Sequence, residues 1–180
     1  MKVGFIGLGN VGGKLAKNLI NNDFSLCVLD LNTSLSSSYL KIGAEWAKNP
    51  KELAFSCDII ITCLPSPQAC SAVMEGSDGV IEGLSGGKIW LEMSTTDFEE
   101  VRRIGELVTG ANGQPMDCPV SGGCHRAATG NISIFAGGKR KTFEKALPVL
   151  KILGRQILHT GELGSASILK VATNYLATTN

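Results

Sequence analysis

The sequence predicts a doubly wound α/β domain built around a mostly parallel sheet. Short apolar segments alternate along the chain with segments whose apolar residues recur at helical spacing, and glycines directly follow the first apolar segment. Unbroken apolar strands are typical of a parallel sheet that is covered on both faces. Right-handed crossovers through helices then give a Rossmann-type arrangement.

The strands are predicted where apolar runs end at turn residues. The run "KVGFIG" ends in glycine, and "CDIIITCLP", the clearest buried strand, is stopped by Pro65. We predict strands at 2–7, 25–30, 57–65, 88–93, 114–120, 131–137 and 155–161.

The helices are predicted from apolar spacing and from residues that favour helix ends. Gly43 ends a short helix, and Asp97 can cap an amphipathic one. Ser165 can cap a last helix that starts near Ala166. We predict helices at 11–22, 34–43, 51–56, 66–75, 97–110 and 141–154, followed by the one from about 166.

Length, charge and cysteine usage limit the classes of function. A chain of 180 residues suits one large domain, or one domain and the start of another. The net charge of +1 indicates neither a nucleic-acid partner nor a polybasic membrane patch, and no apolar run is long enough to span a bilayer. The six cysteines show no CxxC spacing and no accompanying histidine cluster. We therefore expect no metal site and a reducing, cytoplasmic compartment.

The segment "GFIGLGNVGGKLAKNL" has the pattern of a dinucleotide cradle. It contains Gly7-x-Gly9-x-x-Gly12, which is a weak signal alone in a chain with 22 glycines. Here the pattern follows a predicted strand and opens a helix, which is the required context. Gly7 permits the tight turn, Gly9 lets a pyrophosphate approach the backbone, and Gly12 lets the helix pack close to the strand. The helix N-terminus offers free N–H groups to the phosphates.

The end of the second strand indicates which dinucleotide binds. Asp30 lies there, and its carboxylate can accept hydrogen bonds from both ribose hydroxyls of NAD and repel the 2′-phosphate of NADP. Leu31 and Asn32 follow, so no arginine is present to receive that phosphate. The alternative is a strand-end aspartate that only starts a turn with Asn32.

Two further loops lie at the carboxyl ends of predicted strands, where such sheets bind ligands. "CLPSP" places Leu64 and Pro65 at one strand end, and "MSTT" places Ser94 and Thr95 at the next. Ordinary strand-to-helix turn chemistry is the alternative for each.

A second site is predicted from a glycine pair and a lysine. Ser121-Gly122-Gly123 follows a strand, and its backbone N–H groups can form a nest for an anion such as a carboxylate; a flexible turn is the alternative. In "GELGSASILKVATN", Lys170 and Asn174 lie one helical turn apart among small or apolar residues. Burial there would lower the pKa of the lysine and suit it to proton transfer. A lysine that only snorkels to the surface is the alternative.

The segments "GFIGLGNVGGKLAKNL", "DCPVSGG" and "GELGSASILKVATN" resemble the cofactor, substrate and catalytic motifs of the β-hydroxyacid dehydrogenases, the family of 3-hydroxyisobutyrate dehydrogenase. The resemblance covers nearly the whole chain. It implies that Lys170 and Asn174 are catalytic and that Ser121, Gly122 and Gly123 bind the substrate carboxylate. It implies a cofactor-binding set of Gly7, Leu8, Gly9, Asn10, Val11, Gly12, Asp30, Leu31, Leu64, Pro65 and Thr95.

The chain departs from the family pattern in two residues and in length. Ala166 stands where the family usually has glycine, and Cys118 replaces the more usual alanine. By resemblance, residues 1–160 are an NAD-binding domain and 161–180 begin a connector helix. In the family this helix leads to an all-helical C-terminal domain, which completes the substrate pocket and makes most of the dimer interface. We therefore expect a fragment of a homo-oligomeric protein.

The resemblance implies hydride transfer between NAD and a small β-hydroxy acid or its semialdehyde, with Lys170 as general acid and base. The substrate within that class is not specified by the sequence. Two alternatives stay open: an NADPH-dependent semialdehyde or glyoxylate reductase of the same fold, and a catalytically silent NAD-binding fragment.

Overall fold

The computed structural model describes residues 1–179, with the side chains of residues 1–177. The strands in this part of the chain are β1 (Lys2–Ile6), β2 (Ser25–Leu29), β3 (Glu45–Trp46), β4 (Ile59–Thr62), β5 (Ile89–Glu92), β6 (Gln114–Asp117), β7 (Val120–Ser121), β8 (Ile132–Gly137) and β9 (Gly154–Gly161). The helices are α1 (Gly12–Ile20), α2 (Ser36–Lys41), α3 (Pro50–Ser56), α4 (Pro67–Glu75), α5 (Val80–Gly83), α6 (Phe98–Gly110), α7 (Gly123–Ala128), α8 (Arg140–Leu153) and α9 (Ser165–Thr179), with a 3₁₀ turn at Thr33–Leu35.

The strands form one sheet in which β3, β2, β1, β4, β5 and β6 lie side by side and parallel. Next to β6, β8 runs antiparallel to both β6 and β7, and β9 pairs parallel to β8. The prediction of a doubly wound, mostly parallel α/β domain is confirmed. The antiparallel strands follow from the short β7–α7–β8 connection, which returns the chain in the opposite direction.

The central strands are buried on both faces, as their unbroken apolar sequences predict. Successive residues of β4 belong to two separate apolar clusters: Ile61 packs on one face of the sheet and Ile60 on the other. On the neighbouring strands, Phe5 of β1 packs in the same cluster as Ile61, and Trp90 of β5 packs in the same cluster as Ile60. Helices cover each face, so the site described below lies at an end of the sheet and not on a face.

Three short elements were not predicted: β3, α5 and α7. Each has two to six residues, too few for a hydrophobic period to show in the sequence. The predicted strand 114–120 is divided at Cys118 and Pro119 into β6, which pairs with β5 and β8, and β7, which pairs with β8.

The predicted caps have different outcomes. Asp97 caps α6, because its Oδ1 accepts hydrogen bonds from the N–H groups of Glu99 at 2.6 Å and Glu100 at 3.2 Å. The prediction that Ser165 caps the last helix is wrong. Ser165 is the first residue of α9, and its hydroxyl lies 2.6 Å from Thr160 Oγ1. A side chain from β6 caps α9 instead, as described below.

In the part of the chain that the structure describes, none of the helices combines the length and the apolar character that crossing a membrane requires.

Candidate cofactor and catalytic site

The three glycines of the loop between β1 and α1 meet three different requirements. Gly7 has φ of +95°, and a side chain there would collide with the carbonyl oxygen of Cys63. At Gly12 an added Cβ would collide with the Gly7 carbonyl oxygen and stand 3.2 Å from the Phe5 ring. Gly9 is exposed, and its Cβ would meet nothing within 4 Å. Gly7 and Gly12 therefore shape the loop, and Gly9 keeps its outer face open.

This loop lies at the point where the sheet order reverses. From β1 the chain moves outward through β2 and β3, and it then returns to place β4 and β5 on the other side of β1. Ligands of open α/β sheets bind in the crevice at this point, outside the carboxyl ends of the strands. The loops after β1 and β4 meet there, as the contact between Gly7 and Cys63 shows.

Asp30 lies directly beside the glycine loop. Its Oδ2 accepts a hydrogen bond from the Leu8 N–H at 2.6 Å, and its Oδ1 accepts one from the Asn32 N–H at 2.8 Å. The carboxylate therefore starts a turn, as the alternative interpretation predicts, and is also bonded to the glycine loop; its role toward a ribose stays a prediction.

The loops that follow β4 and β5 are tied to each other. The Leu64 N–H donates to Ser94 Oγ at 2.8 Å, and the Ser94 N–H donates to Glu92 Oε1 at 2.7 Å. The structure therefore brings together the two loops predicted to close over the cofactor. Pro65 and Thr95 are exposed on them.

Glu92, at the end of β5, is a buried carboxylate beside the candidate site that the sequence analysis missed. Its side chain is fully buried, and Oε2 accepts hydrogen bonds from Thr62 Oγ1 and Cys70 Sγ, each at 2.7 Å. Burial raises the pKa of this carboxyl above its ordinary value, although these hydrogen bonds act in the opposite direction. A carboxylate inside the apolar segment "KIWLEM" was the signal that could have revealed it.

The remaining cofactor-set residues lie on or next to the glycine loop and at the end of β2. Leu8 is buried in the core, so only its backbone is available. Val11 is half-buried at the start of α1, and Asn10 and Leu31 are exposed. Their roles stay predictions.

The predicted nest lies in the turn from β7 into α7, and its role stays a prediction. Gly122 and Gly123 have φ of +130° and +75°, and both are exposed. Ser121 pairs with Ser133 of β8, which fixes the start of the turn. Successive N–H groups in such a turn form a concave surface for an anion.

Lys170 is buried on α9, with 8% of its surface exposed. Burial lowers the pKa of its amine. None of the ion pairs or side-chain hydrogen bonds among the described residues involves its ammonium group. Asn174, one turn later, is exposed. In the described part of the chain, no hydrogen bond joins either side chain to the nest or to the glycine loop.

The sequence of this domain matches a known family. Residues 2–161 match the family described as the NAD binding domain of 6-phosphogluconate dehydrogenase. The chain belongs to this family. Its resemblance to the β-hydroxyacid dehydrogenases is confirmed by the following relatives.

The chain is 34% identical over 172 residues to a probable mitochondrial 3-hydroxyisobutyrate dehydrogenase of Dictyostelium discoideum. The aligned segment covers 96% of this chain and 54% of that protein. It is 32% identical over 176 residues to glyoxylate/succinic semialdehyde reductase 1 of Arabidopsis thaliana, covering 98% and 61%. A crystal structure of 3-hydroxyisobutyrate dehydrogenase from Salmonella typhimurium matches with a TM-score of 0.92 at 27% identity, covering 98% of this chain and 62% of that one. The chain thus spans between about half and about three fifths of these proteins.

The residues present fit a dinucleotide such as NAD. Gly9 leaves open the space that a side chain would fill, and Asp30 places an acceptor beside it. In the loop after β5, the buried Thr96 Oγ1 has no hydrogen-bond partner among the described residues. A buried hydroxyl without a partner is unusual in a folded protein, and a bound ligand can supply one.

Proposed function

We propose that the protein containing this chain is an NAD-dependent β-hydroxyacid dehydrogenase. It would transfer hydride between nicotinamide and a small β-hydroxy acid of the 3-hydroxyisobutyrate type, or the matching semialdehyde. The observation that carries the proposal is Lys170, a buried lysine on the helix that follows the NAD-binding domain, for which the described residues provide no ion-pair partner. The names of the relatives support the reaction class.

A comparison of two lysines supports a chemical role for Lys170. The ammonium group of Lys88, which is half-buried, donates to three backbone carbonyls: Ala54 and Phe55 at 2.8 Å, and Cys57 at 2.6 Å. These three hydrogen bonds give Lys88 a structural role, because they join the residue before β5 to the end of α3. Lys170 is more deeply buried and makes no such bonds within the described residues. A buried amine without such partners carries a desolvation cost, and a lysine with a perturbed pKa of this kind is a candidate for proton transfer.

The proposed chemistry divides the tasks between the two predicted sets of residues. The nest at Ser121–Gly123 holds the substrate carboxylate through backbone N–H groups. Neutral Lys170 accepts the proton of the substrate hydroxyl, and its ammonium form returns a proton to the aldehyde oxygen in the reverse direction. Asn174 orients that oxygen. When bound, NAD supplies the hydride acceptor. Holding the reactants in register supplies much of the acceleration, about 7–11 kcal/mol at most.

Asp30 favours NAD in this proposal. Both of its oxygens accept hydrogen bonds from backbone N–H groups, of Leu8 and of Asn32, so the carboxylate is held in place beside the proposed ribose position. A 2′-phosphate would meet that carboxylate without an arginine to neutralise it. An NADPH-dependent semialdehyde reductase is therefore the less favoured alternative, although one relative is named a semialdehyde reductase.

The domain boundaries are part of the proposal. Residues 1–160 form the NAD-binding domain, and α9 begins the connector. The remaining length of the relatives is consistent with further protein beyond such a connector.

The test compares Lys170→Met with a matched control, Lys88→Met. We expect Lys170→Met to lower turnover of 3-hydroxyisobutyrate by about 10²- to 10⁴-fold, the usual contribution of a general acid or base. NAD affinity should not change. Lys88→Met should lower the unfolding temperature and leave turnover per folded molecule unchanged. Turnover near the wild-type level in Lys170→Met would refute the assignment.

A further inference from the structure

Asp117, the last residue of β6, is bonded to the start of the helix that carries Lys170. The side chain is fully buried. Its Oδ1 accepts a hydrogen bond from the Gly164 N–H at 2.8 Å, and its Oδ2 accepts bonds from the Ser167 N–H at 2.7 Å and Ser167 Oγ at 2.9 Å. These three bonds cross about 50 residues of sequence and join the sheet to α9.

The arrangement supplies what α9 lacks locally. The residue before the helix is Gly164, with φ of +92° and no side chain, so it cannot cap the first turn. The Asp117 carboxylate caps the helix instead, and it lies at the positive end of the helix dipole. Gly137 on the neighbouring strand leaves the necessary room, since a Cβ there would collide with Asp117 Oδ1 and lie 2.8 Å from Ser165 Oγ.

Asp117 is also close in sequence to the nest. Ser121 follows it by four residues, and the segment between them is held to the sheet, because the Cys118 N–H donates to the Glu92 carbonyl at 2.6 Å. On the other side, Lys170 follows Ser167 by three residues, less than one turn of α9. One carboxylate therefore connects the strand that leads into the nest with the helical turn that precedes the lysine.

We propose that Asp117 is a positioning residue that fixes Lys170 relative to the Ser121–Gly123 nest. The inference rests on the proposed function for its catalytic consequence. The structural claim, that Asp117 holds α9 on the sheet and keeps Lys170 buried, does not depend on the proposed function. Without the three bonds, the first turn of α9 is free to leave the sheet, and Lys170 gains contact with water.

The experiment uses Ser167→Ala and Asp117→Asn, with Asn49→Ala as the matched control. Ser167→Ala removes one of the three bonds and leaves β6 intact. Asn49 caps α3 by accepting the Glu52 N–H at 2.8 Å, so its loss weakens a helix start away from the nest and from α9. The primary readout is the pKa of Lys170, measured by NMR on the chain with ¹³C-dimethylated lysines and assigned with Lys170→Arg. The second readout is the kinetics of 3-hydroxyisobutyrate oxidation, in this chain or in a longer form of the protein.

We expect the Lys170 pKa to rise toward its ordinary value in Ser167→Ala and further in Asp117→Asn, because water then reaches the amine. We expect kcat to fall by about 10²-fold in Asp117→Asn, as misplacement of a catalytic group by about 1 Å can cost that much. The KM for NAD should not change. Asn49→Ala should lower the unfolding temperature but leave the Lys170 pKa and kcat at wild-type values.

An unchanged Lys170 pKa and unchanged kcat in Ser167→Ala and Asp117→Asn would overturn the inference. If Asp117→Asn does not fold, Ser167→Ala decides alone. If Lys170→Met keeps its turnover, the proposed function fails, and the titration of Lys170 in Ser167→Ala still decides whether Asp117 holds the lysine.

Discussion

Replacing Gly9 and Gly12 separately by alanine should separate cofactor binding from stability. At Gly9 the added methyl meets nothing within 4 Å, so we expect the free energy of unfolding to change by less than about 0.5 kcal/mol, as at ordinary surface positions. That same methyl would occupy the space through which a pyrophosphate approaches the backbone. We expect NAD affinity to fall by at least tenfold, which corresponds to about 1.4 kcal/mol.

At Gly12 the added methyl collides with the Gly7 carbonyl oxygen, which belongs to the backbone and cannot rotate away. Overpacking of this kind costs about 1–3 kcal/mol. In a chain of this length, that cost lowers the unfolding temperature by about 2–12 °C. Gly12 is the first residue of α1 and not an interior one, so the gain in helix propensity from alanine is smaller than the interior value of about 1 kcal/mol and offsets only part of the cost.

The assays are thermal unfolding and calorimetric titration of NAD. The matched control is Gly86→Ala, because Gly86 also has open space for a Cβ and lies in the turn before β5, away from the cofactor crevice. It should change neither quantity. Wild-type NAD affinity in Gly9→Ala, or a wild-type unfolding temperature in Gly12→Ala, would refute the reasoning from the glycine geometry.

Three further predictions follow from single side chains. Asp30→Ala should lower NAD affinity by about tenfold or more and reduce the preference over NADP, measured by calorimetry; an unchanged ratio would contradict the role of the carboxylate. Because burial raises the pKa of Glu92, the contribution of this side chain to stability should be largest below about pH 4.3, the ordinary glutamate pKa, and should be lost as the pH rises through the raised value. Glu92→Gln should remove this loss in urea titrations at several pH values, and an identical pH slope in both proteins would contradict it. Thr96→Val should not destabilise the ligand-free chain, since it removes an unpaired buried hydroxyl; a loss above about 1 kcal/mol in urea titrations would show that the hydroxyl is paired.

The order of the strands and helices could be predicted from the sequence because their signals are local. The apolar run of β4, the proline that follows it and the spacing of α1 each lie within one short window. The strand-end loops could be placed near each other for a related reason, since parallel strands bring their carboxyl ends to one edge. The bond between Leu64 and Ser94 shows that placement.

Asp117, Glu92 and the real cap of α9 could not be predicted from local patterns. Ser165 has the residue type and the place of a cap, but the carboxylate of Asp117, 47 residues away from Gly164, takes that role. Glu92 likewise matters because Thr62 and Cys70, from β4 and α4, donate hydrogen bonds to it. Such contacts depend on the assembled sheet, and one sequence alone does not report them.

The most direct test of the account is a calorimetric titration of NAD and, separately, of NADP into this chain. We predict micromolar-range binding of NAD and much weaker binding of NADP, because the Gly9 face is open and the Asp30 side chain lies beside the same loop. Equal affinity for both would contradict the role of Asp30, and no binding of either would contradict the cofactor site itself.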